Sequence, residues 1–480
     1  MKRLIFCFDG TWNHLSRPNP TNVALVAEAI TPLAEGGVVQ IIHYDAGVGT
    51  GHDDHWRGGI LGEGLIDKIV DAYTFLVFNY EPGDELFVFG FSRGAFTARA
   101  FVGFIRNLGI VQRKHAGRIG DAVALYHEHK AGGNEDAPEL LAFRRDVSPD
   151  ICVSIVEDAW RTQNFADYHT GQVPIVRIKF LGVWDTVAAL GVPGYIPFAS
   201  WVNQAEQYFD ADLTSMVVSA RHAMSIDERR KAFSPTPWAN FQALNEALGY
   251  GPLAPSAPYQ QKWWPGDHGS VGGGGDIRGL SDGALSWVLD GALHMGLEVD
   301  KDPGSPLFEI DPNPYESLEN SKAVDPTLLG AIEDAALPKA ARKPGPQDVG
   351  ELSDSAILRW HASADQLAEH RLYRPEPLAG LQAALEAGAR PPPPQVDPLP
   401  LPADGRPTPG ALYKVVFGEG LRAIALHANG HADREDIIMA ANPVIMDHDR
   451  IYNGQVIYLP PAPATAPDAV ANASPAPPVA

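Results

Sequence analysis

Nearly continuous apolar segments alternate with helical patterns through the first part of the chain. Four of these segments are rich in β-branched and aromatic residues and predict buried parallel strands: Leu4–Phe8, Val38–Tyr44, Glu85–Gly90 and Ile175–Trp184. Apolar positions at helical spacing predict one helix over residues 65–80 and another from Phe96 to Leu108. This order of strands and helices indicates an α/β fold, with a mostly parallel sheet flanked by helices.

Proline-rich sequence divides the chain into parts. Residues 391–411 carry a dense run of prolines that is typical of a semi-rigid linker, and residues 461–480 form a Pro/Ala tail that we expect to be disordered. Between them, residues 412–460 have alternating and helical patterns of their own and predict a small separate domain. Residues 1–390 are then the large domain, with helical insertions.

The balance of charges excludes one class of partner. The 480 residues include 37 Lys and Arg against 59 Asp and Glu, which gives a formal net charge of −22. Because nucleic-acid binding depends on a basic surface, we expect no nucleic-acid partner. The two cysteines supply neither a disulfide framework nor the ligands of a zinc finger, and we expect no metal and no cofactor.

The N-terminal sequence bears on location. Its apolar run, Leu4–Phe8, is shorter than the roughly 7–15 apolar residues of a secretory signal peptide. No stretch approaches the ~18 uninterrupted apolar residues of a membrane span. We therefore expect a protein that is synthesised in the cytoplasm without a signal peptide.

A Gly-x-Ser-x-Gly motif is the main candidate for chemistry. It occupies Gly90–Gly94, directly after a predicted strand and directly before a predicted helix. A serine on such a strained turn is held above the sheet at a helix N-terminus, where developing negative charge is stabilised. Ser92 is therefore the candidate nucleophile, and the alternative is a plain glycine-rich turn in which Ser92 caps the helix.

A serine nucleophile needs a base and an acid, which in this kind of fold follow in the order Ser, Asp or Glu, His. Asp185 comes at the carboxyl end of the fourth predicted strand, where catalytic groups collect in open α/β sheets. It is the candidate acid, with Asp267 and Asp282 in reserve. The alternative is that Asp185 only caps the strand end.

Among the 16 histidines, His268 fits the base best. It lies in a glycine-rich loop before a helical pattern over Leu280–Leu293, and it follows the candidate acid along the chain. His222 is the rival, but it sits among positions that predict a helix, and we expect it to be structural. The alternative for His268 is a surface-loop histidine.

The turn after the first strand supplies candidates for an oxyanion hole. Gly10 and Thr11 can direct a backbone N–H toward the serine, and the second donor would be the N–H of Arg93, directly after the nucleophile. Asp-Gly-Thr after a strand also resembles the aspartate-nucleophile phosphatases. Their attacking carboxylate lies two positions before the motif's Asp9 equivalent, where this chain has Cys7, so the phosphatase interpretation is not adopted.

Five segments, in order along the chain, resemble one known family: Phe8–Asn13, Tyr44–Thr50, Gly90–Ala95, Leu181–Val187 and Pro265–Gly274. It is the α/β-hydrolase-like family, long catalogued as of unknown function, that includes the lipase effectors of bacterial type VI secretion. The resemblance covers residues 3–295 and implies phospholipase A-type ester hydrolysis with Ser92, Asp185 and His268 as the triad. Where the family usually has an acidic residue two positions after the histidine, this chain has Ser270.

Residues 412–460 resemble a LysM module, in the order strand, helix, helix, strand. LysM modules bind N-acetylglucosamine polymers such as peptidoglycan. The resemblance therefore implies a shallow glycan-binding groove with five candidate residues: Gly418, Gly420, Leu421, Asn442 and Ile451. The usual Gly-Asp-Thr-Leu entry is Gly-Glu-Gly-Leu here, without the threonine cap. The alternative is a β-α-α-β spacer or docking module that binds a protein.

Together these resemblances indicate an antibacterial effector, made in the bacterial cytoplasm and delivered to the periplasm of a target cell. The expected partners are phospholipid or a membrane surface as substrate, peptidoglycan, a component of the secretion system and an immunity protein. Two alternatives stay open. One is a peptidoglycan-binding adaptor, and the other is an esterase that acts on wall or capsule acyl groups.

Apolar segments beside the candidate acid and base are candidates for an acyl pocket or a bilayer contact. They are Leu190–Trp201, after the acid, and Trp263–Trp264, before the base; ordinary core is the alternative. Residues 112–172 are polar, Ala-rich and mostly helical in pattern, and form a candidate lid. Residues 300–390 have a similar pattern, and no chemistry is assigned to them.

Overall fold

A computed structural model of the chain describes residues 1–10, 18–47, 60–128, 133–187, 212–230, 233–300, 305–307, 310–320, 340–388, 412–415, 421, 424–425, 428, 435–442, 451 and 456–460. They fall into two compact units, Met1–Arg390 and Pro391–Ala480. The division lies where the proline-rich segment begins. The predicted linker, residues 391–411, and the predicted tail, residues 461–480, lie outside the described residues.

A parallel sheet forms the centre of the larger unit. Its described strands are β1 (Arg3–Phe8), β2 (Gln40–Asp45), β3 (Glu85–Phe91), β4 (Ile178–Trp184), β5 (Ala220–Ser225) and β6 (Tyr259–Trp264). Their order across the sheet is β2-β1-β3-β4-β5-β6, and each neighbouring pair is parallel. Phe8 of β1 aligns with Gly90 of β3, and Phe91 of β3 aligns with Trp184 of β4. The order reverses between β1 and β3, which is where open parallel sheets form their binding crevice.

Helices cover both faces of this sheet. Those described in the larger unit are α1 (Asn22–Ala29), α2 (Ile60–Asn79), α3 (Arg93–Leu108), α4 (Ile119–Glu128), α5 (Pro138–Val147), α6 (Ile155–Asn164), α7 (Phe241–Ala247), α8 (His268–Gly272), α9 (Gly279–His294), α10 (Asp354–His361) and α11 (Gln382–Ala387). Successive strand side chains point to opposite faces. Leu4, Phe6 and Phe8 of β1 therefore share one buried face with α2 and α3, while α1 and α9 pack on the other. The predicted α/β class is confirmed.

The structure corrects one expectation about the elements around the sheet. The four predicted strands and the helices beginning near 65, 96 and 280 are present with shifted ends. The prediction of a helix around His222 is wrong, because Ala220–Ser225 is strand β5. This segment has no β-branched residue and gives little local strand signal. It is a strand because it pairs on both edges, with β4 and with β6.

The candidate lid, residues 112–172, is anchored at the far end of helix α3 from Ser92. Arg144 of α5 is fully buried and donates a hydrogen bond of 2.7 Å to the carbonyl of Asn107, near the end of α3. The hydroxyl of Ser148 donates to the carbonyl of Ile110 at 2.7 Å. Since the 16 residues of α3 span roughly 24 Å, these two anchor points lie far from Ser92. These contacts do not place the segment over Ser92, and the lid stays a prediction.

Residues 340–388 pack beside the edge strand β6. Leu352 forms a parallel bridge with Trp263, and the N–H of Ser353 donates to the carbonyl of Trp263 at 2.9 Å. Trp263 and Trp264 are 3% and 2% exposed, which favours the core interpretation over an acyl pocket or a bilayer contact. The other candidate for an acyl pocket or a bilayer contact, Leu190–Trp201, lies outside the described residues. Between 340 and 388 the helices are short and separated by irregular chain and 3₁₀ turns, less helical than expected.

The smaller unit contains a two-stranded antiparallel sheet, β7 (Leu412–Lys414) and β8 (Val456–Tyr458), with helix α12 (Glu435–Ala441). Two candidate glycan contacts, Leu421 and Ile451, are buried in its apolar cluster. The Asn442 amide donates to the carbonyl of Tyr458 at 2.6 Å and accepts from the N–H of Tyr458 at 2.7 Å. These three side chains therefore serve the unit's own fold. Gly418 and Gly420 lie outside the described residues.

The lengths and apolar character of the helices bear on membrane insertion. Within the described ranges, none of them combines the length and the apolar character that a bilayer span requires.

Candidate active site

The nucleophile elbow connects β3 to α3. Ser92 has φ 59° and ψ −125°, so this non-glycine residue lies in the left-handed region, which is strained. A Cβ atom at Gly90 would lie 2.6 Å from the carbonyl oxygen of Gly94. A Cβ atom at Gly94 would lie 2.2 Å from the carbonyl oxygen of Phe8. Both glycines of the motif are therefore required by close backbone contacts on either side of Ser92.

The structure brings the three predicted side chains together. Ser92 Oγ lies 2.8 Å from His268 Nε2, and His268 Nδ1 lies 2.5 Å from Asp185 Oδ2. An ionised carboxylate only accepts hydrogen bonds, so Nδ1 carries the proton and Nε2 is free to accept from the serine hydroxyl. Ser92, His268 and Asp185 are 5%, 6% and 0% exposed. We call this chain of hydrogen bonds, which ends at a hydroxyl on a strained turn, the relay.

Asp185 follows β4 and is held by donors from several parts of the chain. Its own φ is 38°, a second non-glycine residue in the left-handed region. Asp185 Oδ1 accepts from the N–H of Ser225 at 2.9 Å. Arg342 spans both oxygens, with Nη1 2.6 Å from Oδ1 and Nη2 2.9 Å from Oδ2. Burial by itself would raise the pKa of Asp185, but the Arg342 guanidinium and the His268 imidazole hold it well below its ordinary value.

Arg342 is the site residue that the sequence analysis missed. It is 6% exposed, and besides Asp185 it donates to the carbonyl of Ser225 at 2.8 Å and to the carbonyl of Phe233 at 2.7 Å. It comes from the segment to which no chemistry was assigned. A lone arginine in an Ala- and Pro-rich stretch has no motif around it, so no local signal distinguishes it.

Aromatic side chains enclose the His268 imidazole. The ring of Phe91 lies 4.6 Å from it, centroid to centroid, and the ring of Phe233 packs edge-on at 4.7 Å. This apolar enclosure strengthens the electrostatic contacts within the relay.

The reserve acid Asp267 caps the start of α8, where it accepts hydrogen bonds of 2.8 and 2.9 Å from the N–H and hydroxyl of Ser270.

The rival base is occupied elsewhere. His222 is fully buried on β5, where Nε2 accepts from the N–H of Thr186 at 3.2 Å and Nδ1 lies 3.0 Å from Gln261 Oε1. Burial lowers the pKa of His222 to about 3, so the ring is neutral near pH 7. It supports the turn after β4. The other reserve acid, Asp282 in the first turn of α9, forms an ion pair with Arg278, the residue just before that helix.

The predicted oxyanion donors differ in availability. Arg93 is the first residue of α3, and N–H groups at that position have no acceptor within the helix. The N–H of Gly10 instead donates to Asp9 Oδ1 at 2.6 Å, and that carboxylate also accepts from the hydroxyl of Tyr44 at 2.7 Å. Thr11 lies outside the described residues. Of the three predicted donors, only the Arg93 N–H is therefore shown by position to be available.

A parallel sheet with a Ser–His–Asp relay at the carboxyl ends of its strands defines an α/β-hydrolase-like protein. The chain belongs to the family described as T6SS, phospholipase effector Tle1-like, catalytic domain, whose sequence model matches residues 2–291. The predicted family is thus confirmed.

Individual relatives are more distant. An uncharacterized protein of Saccharomyces cerevisiae, YEL023C, is 26% identical over 260 residues, which is 49% of this chain and 33% of that protein. A crystal structure of an uncharacterized protein from Pseudomonas aeruginosa is 18% identical with a TM-score of 0.37, covering 65% of this chain and 49% of that one. The structure of the Tle1 effector bound to the VgrG spike of the type 6 secretion system is 18% identical with a TM-score of 0.29, covering 57% and 51%. The chain thus spans about a third of the yeast relative and about half of each solved chain.

Proposed function

We propose that this chain is a serine carboxylic-ester hydrolase that cleaves acyl esters of phospholipids, as a phospholipase A does. The observation that carries the proposal is the relay from Ser92 through His268 to Asp185, with contacts of 2.8 and 2.5 Å at a strained turn. A plain glycine-rich turn would need neither the strain at Ser92 nor a buried acid–base pair aimed at its hydroxyl.

The geometry supports a two-step acyl transfer. His268 Nε2 takes the hydroxyl proton as Ser92 Oγ bonds to the ester carbonyl carbon, and the Arg93 N–H donates to the oxyanion that forms. The carbon–oxygen bond to the lysophospholipid then breaks, and the leaving oxygen receives the proton from His268. Water attacks the acyl-serine in the same way, which releases the fatty acid and restores Ser92. Asp185 keeps the imidazole in the required tautomer throughout.

The side chain next to the nucleophile supports an anionic substrate. The Arg93 guanidinium is partly buried, and burial lowers its pKa to about 10, so it stays charged at neutral pH. In the described part of the structure no carboxylate is paired with it. A partly desolvated cation without a counter-ion is complementary to a phosphate group, which binds arginine strongly. This fits the phospholipase description of the family.

The family description also supports a delivery route. It names type VI secretion effectors, and we propose that a component of that system carries this chain into the periplasm of a target cell and that an immunity protein protects the producing cell.

A second proposed role belongs to the smaller unit. Its β7–β8 pair, its helix and its own apolar cluster support a LysM-like fold, for which peptidoglycan is the proposed ligand. Binding to the wall would keep the enzyme near the bilayer.

The proposal is tested with the full chain and phospholipid vesicles, by measuring released fatty acid and lysophospholipid. We expect Ser92→Ala to lower turnover by on the order of 10⁴-fold or more, and to abolish labelling by a fluorophosphonate probe. Ser286→Ala is the matched control, because that hydroxyl is buried in α9 without a hydrogen-bond partner among the described residues. Wild-type turnover by Ser92→Ala would refute the proposal.

A substrate panel separates the alternatives. Acylated wall or capsule polymers cleaved faster than phospholipid would favour the wall-esterase function. Peptidoglycan pull-down without probe labelling at Ser92 would favour the adaptor function.

A further inference from the structure

A buried arginine reaches the acid of the relay from outside the family-matched region. The family model ends at residue 291, and Arg342 lies beyond that end. Along the chain, Arg342 is 157 residues after Asp185. Its two terminal nitrogens lie 2.6 and 2.9 Å from the two carboxylate oxygens. Such a planar two-point contact fixes the orientation of a carboxylate, which a single-point cation does not.

The segment that carries Arg342 is hydrogen-bonded to the chain that follows β5, both before and after the arginine. The N–H of Ala340 donates to the carbonyl of Arg229 at 2.9 Å, and the Arg342 guanidinium donates to the carbonyl of Phe233 at 2.7 Å. Further along, the hydroxyl of Tyr373 donates to Asp227 Oδ2 at 2.8 Å. The Arg342 guanidinium is therefore held in a fixed position by the surrounding backbone, unlike the end of a flexible arginine side chain on the surface.

We propose that Arg342 is a positioning residue, which keeps Asp185 ionised and aimed at His268, so that residues 340–388 complete a site that residues 2–291 do not form alone. This rests on the proposed hydrolase function. A fully buried carboxylate without a cation favours its protonated form. Once protonated it is a poorer acceptor for the His268 Nδ1 proton, and the imidazole loses both its tautomer and its orientation.

Other titratable groups around Asp185 do not replace this cation. His268 faces Asp185 from α8, and its role in the relay is to carry the proton. His222 faces it from β5, and burial keeps that ring neutral by lowering its pKa. Glu228 lies beside His268, where its carboxylate accepts from the backbone N–H at 3.3 Å, and it is paired with a neighbouring arginine. Arg342 is thus the permanent positive charge in contact with the Asp185 carboxylate among the described residues.

The test compares Arg342→Met, Arg342→Lys and a matched control in the full chain. The control is Arg359→Met, because Arg359 is also fully buried in this segment and paired, with Glu369, away from the relay. The measurements are kcat and KM for a soluble ester across pH, the rate of fluorophosphonate labelling, and the melting temperature.

We expect Arg342→Met to lower kcat by on the order of 10²-fold with little change in KM, because the relay is misplaced while the substrate site is not. The loss of activity on acidification should begin at higher pH than in the wild type, because the buried carboxyl then takes up its proton earlier. Arg342→Lys should restore part of kcat, since it returns the charge without the two-point contact. Arg359→Met should lower the melting temperature and leave the pH profile unchanged.

Three results would overturn the inference. The first is a wild-type pH profile and kcat in Arg342→Met. The second is the same shift of the pH profile in Arg359→Met, and the third is a kcat for Arg342→Lys no higher than that of Arg342→Met. If Arg342→Met does not fold, Arg342→Lys carries the test through its pH profile. Failure of the proposed function is distinguishable, because the wild-type chain itself would then show no probe labelling at Ser92.

Discussion

Adding one methyl group at Gly94 tests whether the elbow is as tight as the structure shows. In Gly94→Ala the new Cβ atom would lie 2.2 Å from the carbonyl oxygen of Phe8 and 2.4 Å from that of Asp9. Both are backbone atoms at the end of β1, so no side-chain rotation relieves the contact. The distances fall about 1 Å short of ordinary van der Waals contact, and the start of α3 must move away from the sheet by a similar amount.

The size of the effect follows from what moves. Overpacking a close contact of this kind costs about 1–3 kcal/mol of unfolding free energy. The Ser92 hydroxyl and the Arg93 N–H are carried by the same turn, and a displacement of about 1 Å at a reacting group lowers the rate by on the order of 10²-fold. That factor corresponds to about 2.7 kcal/mol of barrier. We therefore expect Gly94→Ala to lose about 10²-fold in kcat and to melt at a lower temperature than the wild type.

A soluble ester assay and thermal unfolding measure both quantities, with Gly120→Ala as the control. Gly120 lies in α4, and a Cβ there would meet no atom within 4 Å. The same substitution at that position should leave kcat unchanged and add about 0.4–1 kcal/mol of stability through the unfolded chain. Wild-type kcat in Gly94→Ala, or an equal loss in Gly120→Ala, would refute the reasoning about the elbow.

Two further predictions concern histidines. His222→Gln should keep Ser92 labelling and kcat within about 10-fold of the wild type while losing about 1–3 kcal/mol of stability, since the buried ring of His222 only supports a turn. His268→Gln should abolish labelling of Ser92. The reverse result for the two variants would assign the base to His222. The hydrogen bond from His294 to Asp290, with burial opposing it, raises the pKa of His294 to about 9. The stabilisation of the folded state by protonated His294 is therefore complete below about pH 6.5 and is lost as pH rises through about 9. His294→Gln should remove this loss between those pH values, as measured by the melting temperature, and an unchanged pH slope would contradict the assignment.

The parts of the fold that could be predicted are those whose local pattern matches their environment. Strands β1 and β3 are apolar on both faces because helices cover both faces, and their sequences show it directly. Strand β5 could not be found this way. Its residues, Ala220–Ser225, are a strand because two neighbours supply the backbone partners, and partners in a sheet are not written in the strand's own sequence.

The candidate site divides along the same line. Ser92, Asp185 and His268 could be found because each follows a strand or turn with a recognisable pattern, and because the chain order of the three is constrained by the fold. The helical pattern of residues 112–172 indicates that a face will be buried but does not indicate against what, so the role of that segment could not be derived from it. Arg342 had no pattern at all, and only the folded chain brings it to Asp185.

The backbone at Asp185 explains why so many distant groups meet there. A non-glycine residue with φ 38° is strained, and a buried carboxylate is costly without donors, so both features persist only where the surroundings overdetermine them. The donors are the N–H of Ser225 at the end of β5, the imidazole of His268 on α8 and the guanidinium of Arg342. Removing one of them leaves the strain and the burial in place without their compensation. On the proposed mechanism, the orientation of the acid therefore depends on Arg342, from residues 340–388, as much as on the sheet.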